Sequence, residues 1–205
     1  PVFESGTPQN NYDIKLTSNN NLAFVFSDQR NFIDNDIYFQ LFNNSGTTIL
    51  SEPVLVVDNF FIDDNVKFIE SDHNGNVLIV YDSGDFSGTR AYAVLVDEIG
   101  SLIWDSPIRL SLYESDQFIK GLVKTESGFF VMWADQRSGS ADIYGQMIDF
   151  NGNLLGSEDG IAISSQANDQ QSPTMSYNQV NDNIIVCWED FRNGVDFDIF
   201  CSEID

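Results

Sequence analysis

The sequence contains one motif four times at a nearly constant spacing. Each copy is a run of apolar residues that ends in an aromatic side chain, and a second aromatic block follows 11 or 12 residues later. The leading aromatic residues are separated by 55, 52 and 55 residues. They are Phe26, Tyr81, Trp133 and Trp188. Four copies of two coupled blocks indicate an internal repeat, which restricts the chain to a repeat architecture.

Each repeat unit has the pattern of four short strands. The first strand alternates polar and apolar residues, and a turn such as Asn74-Gly75-Asn76 then reverses the chain. The second strand, for example residues 184–188, is apolar throughout, which is typical of a strand covered on both faces. No segment shows the apolar period of a capped helix. The sequence therefore predicts an all-β protein.

Four-stranded antiparallel units that recur about every 50 residues are typical of a β-propeller. We predict one domain over residues 1–205, with blade units at approximately 11–63, 64–114, 115–166 and 167–205. The last unit stops after its third strand, and residues 1–6 resemble a fourth strand. We therefore expect the N-terminal strand to complete the last blade and to close a ring of four four-stranded blades.

Composition excludes two classes of function. The chain has 9 Lys and Arg against 32 Asp and Glu, a net charge of −23, so it lacks the basic cluster that nucleic acid binding requires. No apolar run approaches the roughly 20 residues that span a bilayer, so we expect no membrane insertion. The chain begins with Pro1 and has no signal peptide, which suggests a processed or excised piece.

An Asp-x-Arg motif follows the second strand in three of the four units. The pairs are Asp28 and Arg30, Asp135 and Arg137, and Asp190 and Arg192. The guanidinium groups could together bind an anionic ligand, or each could hold the loop of its own blade. Because repeated units need the same internal bonds, we expect the structural role. Unit two differs and has residues 83–90 in place of the motif.

The loop of unit four contains candidate ligands for calcium. They are Asp190, Asn193, Asp196 and Asp198, which lie within nine residues. Calcium binds about six to eight hard oxygen atoms, often from Asp and Asn in a tight loop. However, the spacing of an EF-hand is absent, and Asp and Asn also favour turns for backbone reasons. Our main expectation is that the protein has no cofactor, with calcium as the alternative.

No catalytic residues can be identified from the sequence. His73 is the only histidine and lies in an Asp-rich turn, which argues against a histidine-based zinc site and a Ser-His-Asp triad. No pair of carboxylates stands out among the 32 acidic residues. We therefore predict that the protein is not an enzyme.

Large apolar side chains also occur in connecting segments. Phe60, Phe61 and Ile62 are consecutive between acidic residues, and Phe32 and Trp104 lie in similar segments. Such residues either form an exposed docking patch or cap a seam between blades. The second arrangement is commoner, and we expect it here.

The residues from Trp133 to Gly152 follow the pattern W-x-D-x-R-x-G-x-x-D-I-Y-x-Q-x-I-D-x-x-G. This pattern resembles the repeats of bacterial extracellular propellers and is similar to the WD40-like repeats of the TolB-type family. The resemblance covers essentially the whole chain and implies a module of a secreted or surface protein. Because most such rings have about six to eight blades, a fragment of a larger ring is the alternative to a closed four-bladed one. No activity is implied.

Cys187 and Cys201 are directly opposite each other if the hairpin of unit four centres on Gly194. Opposed residues on antiparallel strands are within reach of a disulfide, although two buried thiols would also fit. The resemblance to extracellular propellers favours the disulfide, because such bonds persist outside the cell.

These observations lead to a functional expectation. We expect a non-catalytic interaction or scaffold module at the cell surface or in the extracellular space, which binds a glycan or protein partner or other domains of its parent chain. One alternative is a glycan-directed enzyme that uses Asp residues at the central opening of the ring, and another is a purely structural spacer. We expect a monomer or a dimer.

Overall fold

A computed structural model describes residues 6–204, which form fifteen β-strands and no helix. Blade one consists of β1 (Gln9–Leu16), β2 (Leu22–Asp28), β3 (Asp36–Phe42) and β4 (Val54–Val57). Blade two consists of β5 (Asp63–Ser71), β6 (Val77–Asp85), β7 (Gly88–Val96) and β8 (Ile108–Arg109). Blade three consists of β9 (Gln117–Lys124), β10 (Gly128–Asp135), β11 (Asp142–Asp149) and β12 (Ile161–Ser164). Blade four consists of β13 (Gln170–Asn178), β14 (Asn183–Asp190) and β15 (Asp198–Ile204).

The strands of each blade pair in chain order and form four separate sheets. Every pairing for which a register is defined is antiparallel. The prediction of an all-β propeller with four blades is confirmed. Among the residues described, none forms a helix long and apolar enough to cross a membrane. The closing strand predicted at residues 1–6 cannot be followed, because residues 1–5 lie outside the described part, within which blade four has three strands.

The chain divides into two compact units. Unit one comprises Pro1–Gly88 and Tyr92–Ile108, and so contains blade one and most of blade two. Its core contains Val25 and Ile79, which come from the second strands β2 and β6 and are fully buried. The doubly apolar pattern of these strands follows from this packing, because a second strand in the interior must cover both faces.

Unit two comprises Thr89–Ala91 and Arg109–Asp205 and contains blades three and four. Its core is formed by Phe130 and Met132 of β10 with Val186 and Trp188 of β14. The two core strands are again the second strands of their blades, so the repeat in the sequence corresponds to a repeat in the packing.

The β14–β15 hairpin has the register expected from the sequence. Asp190 is opposite Asp198, and Cys187 is opposite Cys201. The two cysteines form a disulfide, with their Cα atoms 4.0 Å apart. The bond therefore connects two strands that are already paired through their backbones.

Removal of this disulfide should destabilise the protein. We expect the double variant Cys187→Ala/Cys201→Ala to lose about 2–3 kcal/mol of unfolding free energy, because the cross-link restricts the unfolded chain. Urea unfolding followed by tryptophan fluorescence measures the loss. A reductant should lower the midpoint of the wild type and leave that of the variant unchanged, and equal midpoints for both oxidised proteins would contradict the prediction.

Candidate functional site

Two loops of unit one meet at one end of blade one. One loop connects β2 to β3 and the other connects β4 to β5, and we call residues 28–36 and 58–64 together the unit-one rim. Three hydrogen bonds hold the two loops together. Phe61 N donates to Asp34 Oδ2, Asn35 N donates to Asp63 Oδ1 (3.0 Å), and Asp64 N donates to Asn35 O (2.9 Å). The rim is thus a defined surface in which both loops position each other.

The Asp-x-Arg residues form the same contact within each of their three blades. The arginine donates to the carboxylate two residues earlier, and its guanidinium lies over an aromatic ring of the third strand. The nearest N–O distances are 2.8 Å for Arg30–Asp28, 2.6 Å for Arg137–Asp135 and 2.5 Å for Arg192–Asp190. The guanidinium carbons lie 3.6 Å, 3.8 Å and 3.9 Å from the ring centroids of Tyr38, Tyr144 and Phe200. This Asp-Arg clasp engages each arginine inside its own blade.

The clasp keeps three buried carboxylates ionised. Burial alone would raise the pKa of Asp135, but hydrogen bonds from Arg137, Ser115 and Trp133 lower it below the ordinary value. At Asp190 the bond from Arg192 dominates, and the pKa is about 2. The pKa of the corresponding carboxyl group in blade one is also lowered by its hydrogen-bond donors, despite the burial of that group. A buried aspartate is stable at these positions because it is fully hydrogen-bonded.

In blade two the buried aspartate at the position of the clasp lies on the first strand and not on the second. In the other three blades a glutamine of the first strand faces the aspartate that ends the second strand. In blade two Asp64 of the first strand faces Ser83 of the second, and no clasp is formed. Asp64 is fully buried, and this burial raises its pKa to about 6 against the hydrogen bonds from Ser83 and Asn59. Asp64 was not among the residues predicted from the sequence, although a comparison of the four repeats shows an aspartate there in place of the first-strand glutamine.

The buried Asp64 should make the stability of the protein depend on pH. Its folded pKa is higher than its unfolded value, so the folded state binds more protons, and stability falls as pH rises from about 4 to about 6. Asp64→Asn removes this titration. We expect the variant to gain stability relative to the wild type at pH 7.5 and to gain less or nothing at pH 4.5, as measured by urea unfolding.

Asp105→Asn is the control for Asp64→Asn, because it makes the same substitution at an exposed aspartate. Its stability difference from the wild type should be small at both pH values. A difference for Asp64→Asn that is the same at pH 4.5 and pH 7.5 would contradict the assignment of the titration to Asp64.

Asp36 is the second rim carboxyl with a strongly raised pKa. Burial is the largest cause, followed by the negative charges of Asp58, Asp34 and Asp64, and together they raise the pKa to about 6. Its Oδ2 accepts a hydrogen bond from Asn31 Nδ2 (3.0 Å), while its Oδ1 is buried without a hydrogen-bond partner within residues 6–204. The unit-one rim therefore contains carboxyl groups that take up a proton at mildly acidic pH.

The equivalent aspartate of blade three lacks a donor for a reason visible in the sequence. In blades one and four an asparagine next to the clasp arginine donates to this aspartate, as Asn193 does to Asp198 (3.1 Å). In blade three that asparagine is replaced by Ser138, and both oxygens of Asp142 are buried without a hydrogen-bond partner in the part of the chain that the structure describes. Burial raises the pKa of Asp142, and the nearby Ser138 only partly offsets the rise.

Replacement of Ser138 by asparagine should stabilise blade three. We expect the amide of Ser138→Asn to donate to the Asp142 carboxylate as its counterparts do, and so to add about 1 kcal/mol of unfolding free energy at pH 7. The reciprocal change Asn193→Ser in blade four should lower it by a similar amount. Urea unfolding measures the unfolding free energy of both variants. The explanation would be contradicted if asparagine were no more stabilising than serine at both positions.

The residues predicted to bind calcium do not converge as oxygen ligands. The Asn193 amide donates to Asp196 Oδ1 (2.7 Å) and Asp198 Oδ2 (3.1 Å), while Asp190 is held by Arg192. In the part of the chain from residue 6 to residue 204, no group of three or more His, Cys, Asp or Glu side chains is arranged to hold a metal ion. In the structure these side chains bond to one another and to Arg192, and calcium binding in this loop stays a prediction.

The aromatic residues of the rim are exposed, contrary to the expectation that they cap a seam. Phe32, Phe60 and Phe61 are 84%, 65% and 68% exposed, and the last two rings pack together with centroids 4.1 Å apart. Trp104, for which the same two arrangements were considered, is buried. The cap prediction was wrong for the rim because its loops are anchored by the hydrogen bonds of Asp34 and Asn35 rather than by these side chains.

Comparison with solved structures identifies propellers of similar fold. No protein-family model and no curated protein sequence matches the chain. An α-L-arabinofuranosidase from Fusarium graminearum has a TM-score of 0.56 at 12% identity, and the match covers 97% of this chain and 58% of that one. An α-L-arabinanase from Penicillium chrysogenum complexed with arabinobiose has a TM-score of 0.53 at 16% identity, with coverage of 97% and 58%. An endo-arabinase from Bacteroides thetaiotaomicron has a TM-score of 0.52 at 8% identity, with coverage of 95% and 74%.

These neighbours correct one prediction from the sequence. We expected a protein that is not an enzyme, and the comparison contradicts that expectation because these propellers of similar fold are glycoside-cleaving enzymes. The error has a physical reason: the absence of a histidine or a nucleophile motif does not exclude a chemistry that needs only carboxyl groups. The chain spans 58% of the length of two of these enzymes.

Proposed function

We propose that the chain is the propeller of a glycan-directed enzyme, with the unit-one rim as its catalytic site and Asp36 as the proton donor. The observation that carries the proposal is the buried carboxyl group of Asp36, whose Oδ1 has no hydrogen-bond partner among the described residues; its raised pKa of about 6 supports the same role. A group that protonates a leaving oxygen must itself be protonated near the working pH, and an ordinary aspartate is not. The likeness of the fold to arabinanases supports the choice of a glycan as substrate.

Glycoside hydrolysis generally requires a second carboxyl group that remains ionised. Asp58 is exposed on the rim, and its negative charge is the largest contribution of any neighbouring residue to the raised pKa of Asp36. We therefore assign Asp58 the role of the base that activates water. Asp28 faces Asp36 across the β2–β3 ladder and stays ionised through its bond to Arg30, so it adds a fixed negative charge to the site.

The unpaired oxygen of Asp36 supports this assignment. Asn31 donates a hydrogen bond to Oδ2 of Asp36, whereas Oδ1 is buried and has no hydrogen-bond partner among the described residues. A protonated Oδ1 can donate to a substrate oxygen without breaking a bond within the protein. In this proposal the leaving oxygen of the glycan meets Oδ1 after a local shift that leaves the backbone of the unit-one rim in place.

We further infer that the enzyme acts outside the cell on a neutral glycan. The Cys187–Cys201 disulfide supports an oxidising compartment, where such bonds persist. The net charge of −23 disfavours an anionic polysaccharide, because it would be repelled from an acidic rim.

Hydrolysis of neutral polysaccharides tests the proposal. Residues 1–205 are incubated with linear arabinan, xylan, mannan, galactan and β-glucan, and the release of reducing ends is measured from pH 4 to pH 8. We expect turnover of at least one substrate, with kcat/KM falling as pH rises above about 6 because the donor loses its proton. Asp36→Asn should lower kcat/KM by about 100-fold or more, since an amide cannot donate the required proton.

Asp105→Asn is the matched control, because Asp105 is exposed and lies outside the rim. It should retain the activity of the wild type. Absence of turnover with a folded protein on the whole panel, or full activity in Asp36→Asn, would refute the proposed function.

A further inference from the structure

Phe32 has a left-handed backbone conformation, and the equivalent positions of blades three and four, which have the same conformation, are occupied by glycine. Its φ is 62°, and the equivalent residues of blades three and four are Gly139 and Gly194, with φ of 92° and 70°. In this left-handed region a β-carbon crowds the following carbonyl, so glycine is favoured and a phenylalanine is strained. With its ring 84% exposed, Phe32 gains little from packing to offset that strain.

Phe61 repeats this combination on the neighbouring loop. Its φ is 64°, its ring is exposed beside Phe60, and its N–H donates to the buried carboxylate of Asp34. The other non-glycine residues with positive φ within residues 6–204 are polar, and most of them are of the types that favour this region. They are Asn11, Asn20, Asn168, Ser172 and Asp182. Strained aromatic residues thus occur on the unit-one rim and nowhere else in the described chain.

Strain and exposure together are unfavourable for the isolated protein. Glycine would satisfy the fold at position 32, as it does in two other blades, and a polar residue would keep the rim soluble. Such conformations persist mainly where a function requires them. We propose that Phe32, Phe60 and Phe61 form an aromatic platform on which the sugar rings of a neutral glycan chain stack. The identity of the ligand class rests on the proposed function.

The chemistry of the rim favours a neutral sugar over a cationic partner. A cationic peptide would pair with carboxylates beside the rings; both oxygens of Asp34 already accept hydrogen bonds, from Asn31 and Phe61, and Asp58 is the exposed carboxylate next to the platform. Asp63 accepts a hydrogen bond from the backbone of Asn35. A sugar ring presents an apolar C–H face to an aromatic side chain and keeps its hydroxyl groups at the edge, where they can hydrogen-bond to the remaining acceptor oxygens.

The test measures binding and stability of the same variants. Binding to each polysaccharide of the panel is measured by affinity gel electrophoresis, and Tm by thermal unfolding. We expect Phe32→Gly to weaken binding at least tenfold while its Tm is equal to or higher than that of the wild type, because the strain is relieved. Phe61→Asn and Phe60→Ala should also weaken binding. Asparagine is chosen at position 61 because it tolerates a positive φ.

Two controls accompany these variants. Ile99→Ala removes an exposed apolar side chain from the turn that follows β7 and should leave binding unchanged. Gly139→Phe introduces the strain of Phe32 in blade three, where a β-carbon would meet nothing within 4 Å, and should lower Tm through the backbone alone. An unchanged Tm for Gly139→Phe would overturn the premise of strain and the proposal with it.

The remaining outcomes separate the platform from the proposed activity. If the wild type binds a polysaccharide through Phe32 but hydrolyses none, the platform is supported and the proposed enzyme is refuted. If the wild type hydrolyses a polysaccharide and Phe32→Gly has the same KM and the same affinity, the platform alone is refuted. Failure of the wild type to bind any polysaccharide overturns the platform, and so does a Phe32→Gly variant that binds weakly but has a lower Tm. Tight, Phe32-dependent binding of polylysine in place of glycans would overturn it in favour of a cationic partner.

Discussion

The clasp between an aspartate and an arginine is the contact on which three of the four blades depend. It buries a carboxylate completely at the end of a core strand, which is tolerated because a guanidinium, an aromatic ring and further donors surround the charge. Loss of the arginine would leave that charge buried without a counter-ion. Blade two has no clasp, and its buried Asp64 accordingly has a pKa raised to about 6. The clasp therefore keeps the pKa of the three aspartates that it holds below the ordinary value, whereas the buried Asp64, which has no clasp, takes up a proton at mildly acidic pH.

Most of the architecture could be predicted from the sequence, because it depends on local patterns. The period of the aromatic residues located the second strands, which the structure has as β2, β6, β10 and β14. The register of Cys187 and Cys201 also followed from the position of one turn residue. Alternation and turn chemistry determine these features within one hairpin. Which family the repeats belong to stays a prediction, as does the strand expected at residues 1–6.

The candidate site was largely unpredictable because it depends on contacts between loops of different blades. Nothing local distinguishes Asp64 from the exposed acidic residues around it, and its burial follows from packing against Ser83 and Asn59. The orientation of Phe60 and Phe61 is likewise determined by a hydrogen bond to Asp34, 27 residues away from Phe61 in the chain. Only a comparison of the four repeats shows that Phe32 occupies a glycine position, and even that comparison needs the backbone angles to reveal the strain.

The disulfide affects the final strand in a further way. Within the described residues β15 lies at the edge of its sheet and would be the first element to fray. Because Cys201 is covalently attached to β14 in the middle of β15, the strand cannot peel away from its end beyond that residue. Amide protons on the two sides of Cys201 should therefore exchange by different routes: those after it by local opening, and those before it only when the loop of residues 191–197 and the hairpin open together.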